Sequence, residues 1–197
     1  MWEKRETMIA RGFALFDTAI GPCAIAWGRG GIVGIQLPER DRGATELRMA
    51  RRYPEAIPMR VPPGVDLAVR DIAALLAGAM TDLSRITLDM AELPDFYVRV
   101  YEAARTIPVG ETRTYGDIAR QVGDIGAARA VGGALGRNPF AIVVPCHRVL
   151  AADGKTGGFS ASGGTVTKLR LLTIERARTN AMPGLFDAHG GLPFRAA

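Results

Sequence analysis

Residues 138–149 read NPFAIVVPCHRV, and how this segment runs sets the layout of the second half of the chain. An apolar run, Phe140 to Val144, stops at Pro145, and Cys146, His147 and Arg148 follow in a row. The run has the length and β-branched content of a buried strand. Proline cannot donate to a central ladder, so the strand is expected to end there. The chain has 2 cysteines and 2 histidines, and one of each stands here side by side. A nearby base, positive charge and backbone donors favour the thiolate, the nucleophilic form of cysteine. On an extended strand, however, successive side chains point to opposite faces. His147 reaches Cys146 only if the backbone turns after Pro145 or a water connects them. The imidazole also needs an acceptor for its second nitrogen.

Upstream, two short amphipathic segments flank a glycine-containing break. TYGDIARQVG places Ile118, Ala119 and Val122 on one face, and AARAVGGALGRN does the same with Ala127, Ala130, Val131, Ala134 and Leu135. Two such helices around a turn fit a helix-turn-helix, and an ordinary helical corner is the competing reading. The second helix carries Gly132 and Gly133 inside and Gly136 near its end. Each interior glycine costs about 1 kcal/mol against alanine, which is tolerated where a backbone must be approached closely. Arg129 lies about 200° from Val131 on the helical wheel, away from the apolar stripe. It is suited to a groove or a gap in a base stack, or simply to solvent. Downstream, VTKLRLLTIERA reads as a helix with Glu175 between Leu171 and Leu172. A carboxylate so placed is partly buried and needs a partner. His147 is one candidate, in a Cys–water–His–Glu relay; Lys168, on the same face, is the other.

The first half has a different texture. Apolar runs in residues 13–37, broken by Gly21-Pro22 and GRGG, predict a small antiparallel sheet. ATELRMARRYP predicts a helix ended by Pro54, residues 55–64 an irregular connection, and VDLAVRDIAALLAGAM a helix with Leu67, Ile72, Leu75 and Leu76 inward. ITLDM is expected to be a further strand. Pro94-Asp95 then opens a helix with Phe96, Val100, Ala103 and Ala104 on one face. The fold class is therefore α+β: a small N-terminal α/β module with an antiparallel sheet, then a mostly helical domain with a helix-turn-helix. The boundaries expected are 1–90, 91–178 and a Gly-, Pro- and Ala-rich tail at 179–197.

Bulk properties narrow the function classes. Hydrophobic residues are 48% and charged ones 23% of the 197, enough for a folded core and too apolar for a disordered chain. The net charge of +5 favours polyanionic partners. Two distant cysteines make no disulfide framework, and no secretory or membrane-spanning stretch is evident, so a reducing cytoplasm is expected. No CxxC or HxxxH spacing supports a metal site. Cys23, in GPCAIAW, reads as core.

The segments PVGETRTYGDIAR, RAVGGALGRNPFAIVVPCHRVLAADGKTGGFS and LLTIE together resemble the O6-alkylguanine-DNA alkyltransferases, over roughly residues 92–178. Pro-Cys-His-Arg-Val at 145–149, following RAVG and Asn-Pro, is the specific part. The resemblance implies a single-use protein: Cys146 takes the alkyl group from guanine O6 in double-stranded DNA and keeps it as a thioether. It implies that His147 and Glu175 activate Cys146, that Asn138 braces its turn, and that Tyr115 contacts or protonates the leaving base. It further implies that Arg129 replaces the flipped nucleotide, with Thr114, Gly132, Gly133 and Gly136 in the minor-groove interface. Val149 and Ser160 would present backbone groups to the guanine, with Phe159 and Lys168 completing the base site. The first domain would be the family's ribonuclease-H-like module. A monomer without cofactor or metal is implied. Phe159 stands where the family often has tyrosine, and FSASGG is longer than the usual loop. The alternatives are a lesion-binding protein that recruits another pathway, whose relatives lack the acceptor cysteine, and a Cys-His hydrolase, which leaves Arg129 unexplained.

Overall fold

The computed structural model describes residues 10–152 and 156–177. The expected tail, and Asp153, Gly154 and Lys155 of the segment RAVGGALGRNPFAIVVPCHRVLAADGKTGGFS, lie outside them. The chain opens with strands β1 (Gly12–Thr18) and β2 (Gly21–Trp27), joined by a two-residue loop in full antiparallel register. Gly21 takes φ +123, a conformation that L side chains rarely adopt, so glycine suits the loop exit. Strand β3 (Ile32–Gln36) pairs with β2, and β4 (Ile57–Pro58) lies parallel to β1, giving the order β3-β2-β1-β4.

Both faces of the sheet are covered, which is why β3 is buried along its whole length. On one face Phe13, Ala24, Ala26 and Val33 pack against Met49 and Tyr53 of helix α1 (Arg42–Arg52) and its C-cap. On the other, Cys23, Ile25 and Ile35 meet Val65, Ala68, Ile72 and Leu75 of α2 (Pro63–Leu76). This second core continues into the C-terminal half through α3 (Asp95–Arg105), α4 (Tyr115–Gln121) and α5 (Ala128–Gly136), taking in Val100, Tyr101, Ile118, Val131 and Phe140. Tyr101 Oη donates to the Ala134 carbonyl at 2.9 Å, fixing α3 to α5. The short strands β5 (Arg113–Thr114) and β6 (Val149–Leu150) pair in parallel, and α6 (Gly164–Ile174) closes the described chain. Among the described residues no helix is long and apolar enough to cross a membrane.

The α+β class, the antiparallel sheet, and the two helices around a turn follow the expectations above. Four local readings do not. Phe140–Val144 is not a strand: it is a tight buried loop in which Val144 N–H bonds the Phe140 carbonyl at 2.9 Å and Ile142 takes φ 73. A β-branched residue there stores roughly 1–3 kcal/mol of strain; the run is apolar because it is enclosed. ITLDM makes a single bridge, Leu88 to Ile32, before the Asp89 carboxylate accepts from Ala91 N–H and turns the chain away. Within the connection at 55–64, Ile57–Pro58 pairs with β1. Leu67 and Ala130 face solvent, because the buried stripes of α2 and α5 run through Val65–Ala68 and Val131–Ala134.

Candidate active site

Pro145 ends the buried loop, and Cys146–Arg148 form one 3-10 turn. The backbone therefore turns after Pro145, and the strand alternation that would separate Cys146 from His147 does not arise. Asn138 braces this geometry from the end of α5. Its Nδ2 donates to the Val144 carbonyl at 2.9 Å and to Cys146 Sγ at 3.5 Å, and its Oδ1 accepts from Phe140 N–H at 2.8 Å. One side chain thus holds both ends of the loop and touches the sulfur.

Behind the cysteine lies a buried polar cluster. His147 Nε2 is 2.9 Å from Glu175 Oε1. Arg148 grips the same carboxylate through Nε to Oε2 at 2.8 Å and Nη2 to Oε1 at 2.9 Å, while its Nη1 donates to the Ile107 carbonyl at 2.6 Å. Burial alone would raise the Glu175 pKa, but bonds to His147 and Arg148 outweigh it and hold the carboxyl at about 2. An ionised carboxylate only accepts, so His147 Nε2 carries the proton. Burial pushes the His147 pKa below the usual histidine value, against the pull of Glu175, so the ring is neutral. Its Nδ1 is then a bare lone pair, buried and without a hydrogen-bond partner among the described residues. That is a base held in one tautomer.

The resting cysteine is a thiol. Burial raises its pKa, opposed by Asn138, by the Lys168 ammonium, and by the Cys146 and His147 N–H groups. The neighbours that favour the thiolate are present, but desolvation outweighs them in the resting site. Lys168 is fully buried, and burial lowers its pKa to about 8. It does not pair with Glu175: its Nζ donates to the Val149 carbonyl at 2.7 Å and lies 5.9 Å from the Tyr115 ring centroid. Cys23 is buried with its thiol pushed up to about 12, as suits a core residue.

Cys146 opens into a cleft of about 550 Å³ lined by Tyr115, Arg129, Gly132, Gly136, Phe159 and Ser160, among others. Tyr115 stands at the start of α4, whose N-terminus is fixed by a capping box between Thr114 and Asp117. Burial raises the phenol's pKa, and a charge on Cys146 raises it further when the thiolate forms, so it is protonated. A Cβ at Gly157 would sit 3.0 Å from Tyr115 Oη, so the ring is seated against backbone. Arg129 is exposed at the cleft wall.

The structure thus brings Cys146, His147, Glu175, Asn138, Tyr115, Phe159, Ser160, Arg129, Gly132 and Gly136 around one cleft and its rear wall. Thr114, Gly133, Val149 and Lys168 do not line it. Thr114 is occupied in the helix cap, and the Gly133 carbonyl accepts from Arg137. Val149 spends its N–H on the Cys146 carbonyl and accepts from Lys168. Sequence reasoning gave Glu175 one partner and missed Arg148 as the second. The signal was present: a carboxylate on an apolar helix face needs more than one hydrogen bond, and Arg148 is adjacent to His147.

The family model for the 6-O-methylguanine DNA methyltransferase DNA-binding domain matches residues 95–177. The methylated-DNA–protein-cysteine methyltransferase of Mycolicibacterium paratuberculosis is 46% identical over 158 residues, 78% of this chain and 92% of that one. Its namesake in Mycobacterium bovis is 42% identical over 180 residues, 89% of this chain and 98% of that one. The crystal structure of Mycobacterium tuberculosis OGT in complex with DNA superposes with a TM-score of 0.66 at 39% identity, covering 84% of this chain and 92% of that one. With this coverage and identity, the chain belongs to the methylated-DNA–protein-cysteine methyltransferase family.

Proposed function

We propose that the protein repairs DNA by direct reversal, moving the alkyl group of O6-alkylguanine onto Cys146. The observation that carries this reading is a thiol facing an open cleft, with a neutral, single-tautomer histidine behind it and an exposed arginine on a glycine-lined helix in front. The helix-turn-helix would approach the minor groove, where Gly132 and Gly136 let the backbone come close. A base inside the duplex is out of reach of Cys146, so it must be flipped at a cost of a few kcal/mol. Arg129 fills the gap, and contacts to phosphate and sugar make the site independent of sequence.

His147 Nδ1 takes the Cys146 proton through a bridging water, and the Glu175 carboxylate stabilises the resulting imidazolium. Asn138 Nδ2 and the Lys168 charge stabilise the thiolate while it exists. The sulfur attacks the alkyl carbon: the S–C bond forms, the C–O6 bond breaks, and its electron pair goes to the guanine. Tyr115 Oη supplies the proton that the departing base needs, and the proton that His147 took from the thiol returns to Tyr115 through solvent, so both side chains end neutral. Thiol and alkylguanine account for every bond made and broken, so the step needs no cofactor. The thioether has no route back to thiol within the site, so each molecule acts once. Both cysteines are free, and the reaction requires that Cys146 stay so, which suits a reducing compartment.

Cys146→Ala tests the assignment. The variant should bind an O6-methylguanine duplex about as tightly as the unmodified protein and repair none of it. A wild-type protein that binds the lesion and leaves it alkylated would instead mark a recruiter, and repair beyond one equivalent would mark a turnover enzyme.

A further inference from the structure

Cys146 lines a second cleft as well, of about 230 Å³, on the side of the N-terminal sheet. Gly136, Phe159 and Ser160 belong to both clefts and form the partition beside the sulfur. Resting on the alkyl-transfer reading above, we infer that this second cleft receives the distal part of a longer O6-alkyl group and favours chains that end in an anion.

The argument starts from the geometry of displacement. Sulfur, carbon and O6 must lie in line, so the other substituents of the reacting carbon project sideways from that axis. With guanine in the first cleft, the second is the sideways space next to the sulfur. Its walls are not apolar. Arg48 and Arg52 come from α1, Arg137 and Asn138 from the end of α5, and Gln36 and Glu39 from the end of β3. Glu39 is engaged with Gln36 Nε2 at 3.1 Å. Arg48 has no hydrogen-bond or ion-pair partner among the described residues, and Arg52 has only the Tyr53 ring, 5.4 Å away. Arg137 is tied to Tyr97 Oη at 3.3 Å and to the Gly133 carbonyl at 3.2 Å. Three guanidinium groups against one carboxylate leave the cleft positive. A carboxylate at the end of an alkyl chain would find Arg48 and Arg52 available, whereas an ammonium would be repelled.

The test compares three duplexes carrying O6-(4-carboxybutyl)-, O6-(4-hydroxybutyl)- or O6-(4-aminobutyl)guanine, with O6-methylguanine as reference. Because the cleft is open to water, discrimination should be modest: carboxyl over amino by about fivefold in transfer rate, which matches the strength of partly exposed ion pairs, and shrinking with added salt. The doubly substituted protein Arg48→Gln, Arg52→Gln should lose most of that ratio and keep its methyl-transfer rate. Equal rates for the three chains, or a carboxyl preference that survives the double substitution, would overturn the inference. Failure of methyl transfer itself would instead defeat the alkyl-transfer reading, so the two failures are distinguishable.

Discussion

Glu175 is bonded by an imidazole and a guanidinium at once, and the two sides of that arrangement have different consequences. Toward His147 it fixes a tautomer; toward Arg148 it neutralises a buried cation. Glu175→Gln should therefore cost about 3–5 kcal/mol, the usual penalty for breaking one side of a buried pair, read from urea unfolding. The same cluster sets the acid response. Glu175 has a folded pKa of about 2 against an ordinary 4.5, so its stabilisation is complete above the higher value and is lost as pH falls through the lower. His147, lowered from 6.5, acts in the same direction: the unfolded chain takes up a proton that the folded chain refuses. The urea midpoint should fall steadily below about pH 6.5, and Glu175→Gln should flatten the lower part of that slope. A midpoint insensitive to pH down to about 4 would contradict the assigned charges. Asn138→Ala should slow transfer by tenfold or more, because it frees the loop and removes a donor to sulfur; rescue of the rate at raised pH would point to the second cause.

At the scale of elements, α5 carries the exchange of stability for access. A Cβ at Gly132 would meet only the Tyr115 ring at 3.8 Å, and one at Gly136 would meet nothing within 4 Å. Alanine at either position should stabilise the fold by up to about 1 kcal/mol while weakening duplex binding, since each added methyl projects into the cleft. Stabilised variants with unchanged DNA affinity would mean that the glycine face does not meet DNA. The helices were legible in the sequence because their apolar periodicity matches their burial, as at Ile118-Ala119 and Val131-Ala134-Leu135. The Cys146, His147 and Glu175 set was legible because one residue of each type stood where burial and polarity conflicted. The loop at Phe140–Val144 was not legible: an apolar run records burial, and neither periodicity nor composition distinguishes a strand from an enclosed turn held by an asparagine. Nor was the resting thiol, whose protonation depends on how far the fold removes it from water. The bonding of Lys168 to Val149 rather than Glu175 depends on where α6 docks, which wheel geometry alone does not fix.

For the molecule as a whole, the net charge of +5 and the proposed phosphate contacts predict that duplex affinity falls steeply with salt. Arg129→Ala should slow repair in duplex DNA much more than transfer from the free base, since only the duplex has a stack to fill; equal slowing would remove Arg129 from that role. The N-terminal sheet contributes more than support: its edge is bonded to the active loop through Ile35 N–H to the Pro139 carbonyl at 2.8 Å. Loosening this edge is expected to disturb Cys146 as well as the first half of the fold. On the proposed reading Cys146 is the acceptor and is used once. Incubating the protein with excess O6-methylguanine duplex, then weighing its proteolytic peptides and the released DNA, tests it most directly. The mass of one methyl group should appear on the Cys146 peptide alone, matched by one restored guanine per protein molecule and no more. An unmodified Cys146 peptide alongside restored guanine would contradict it.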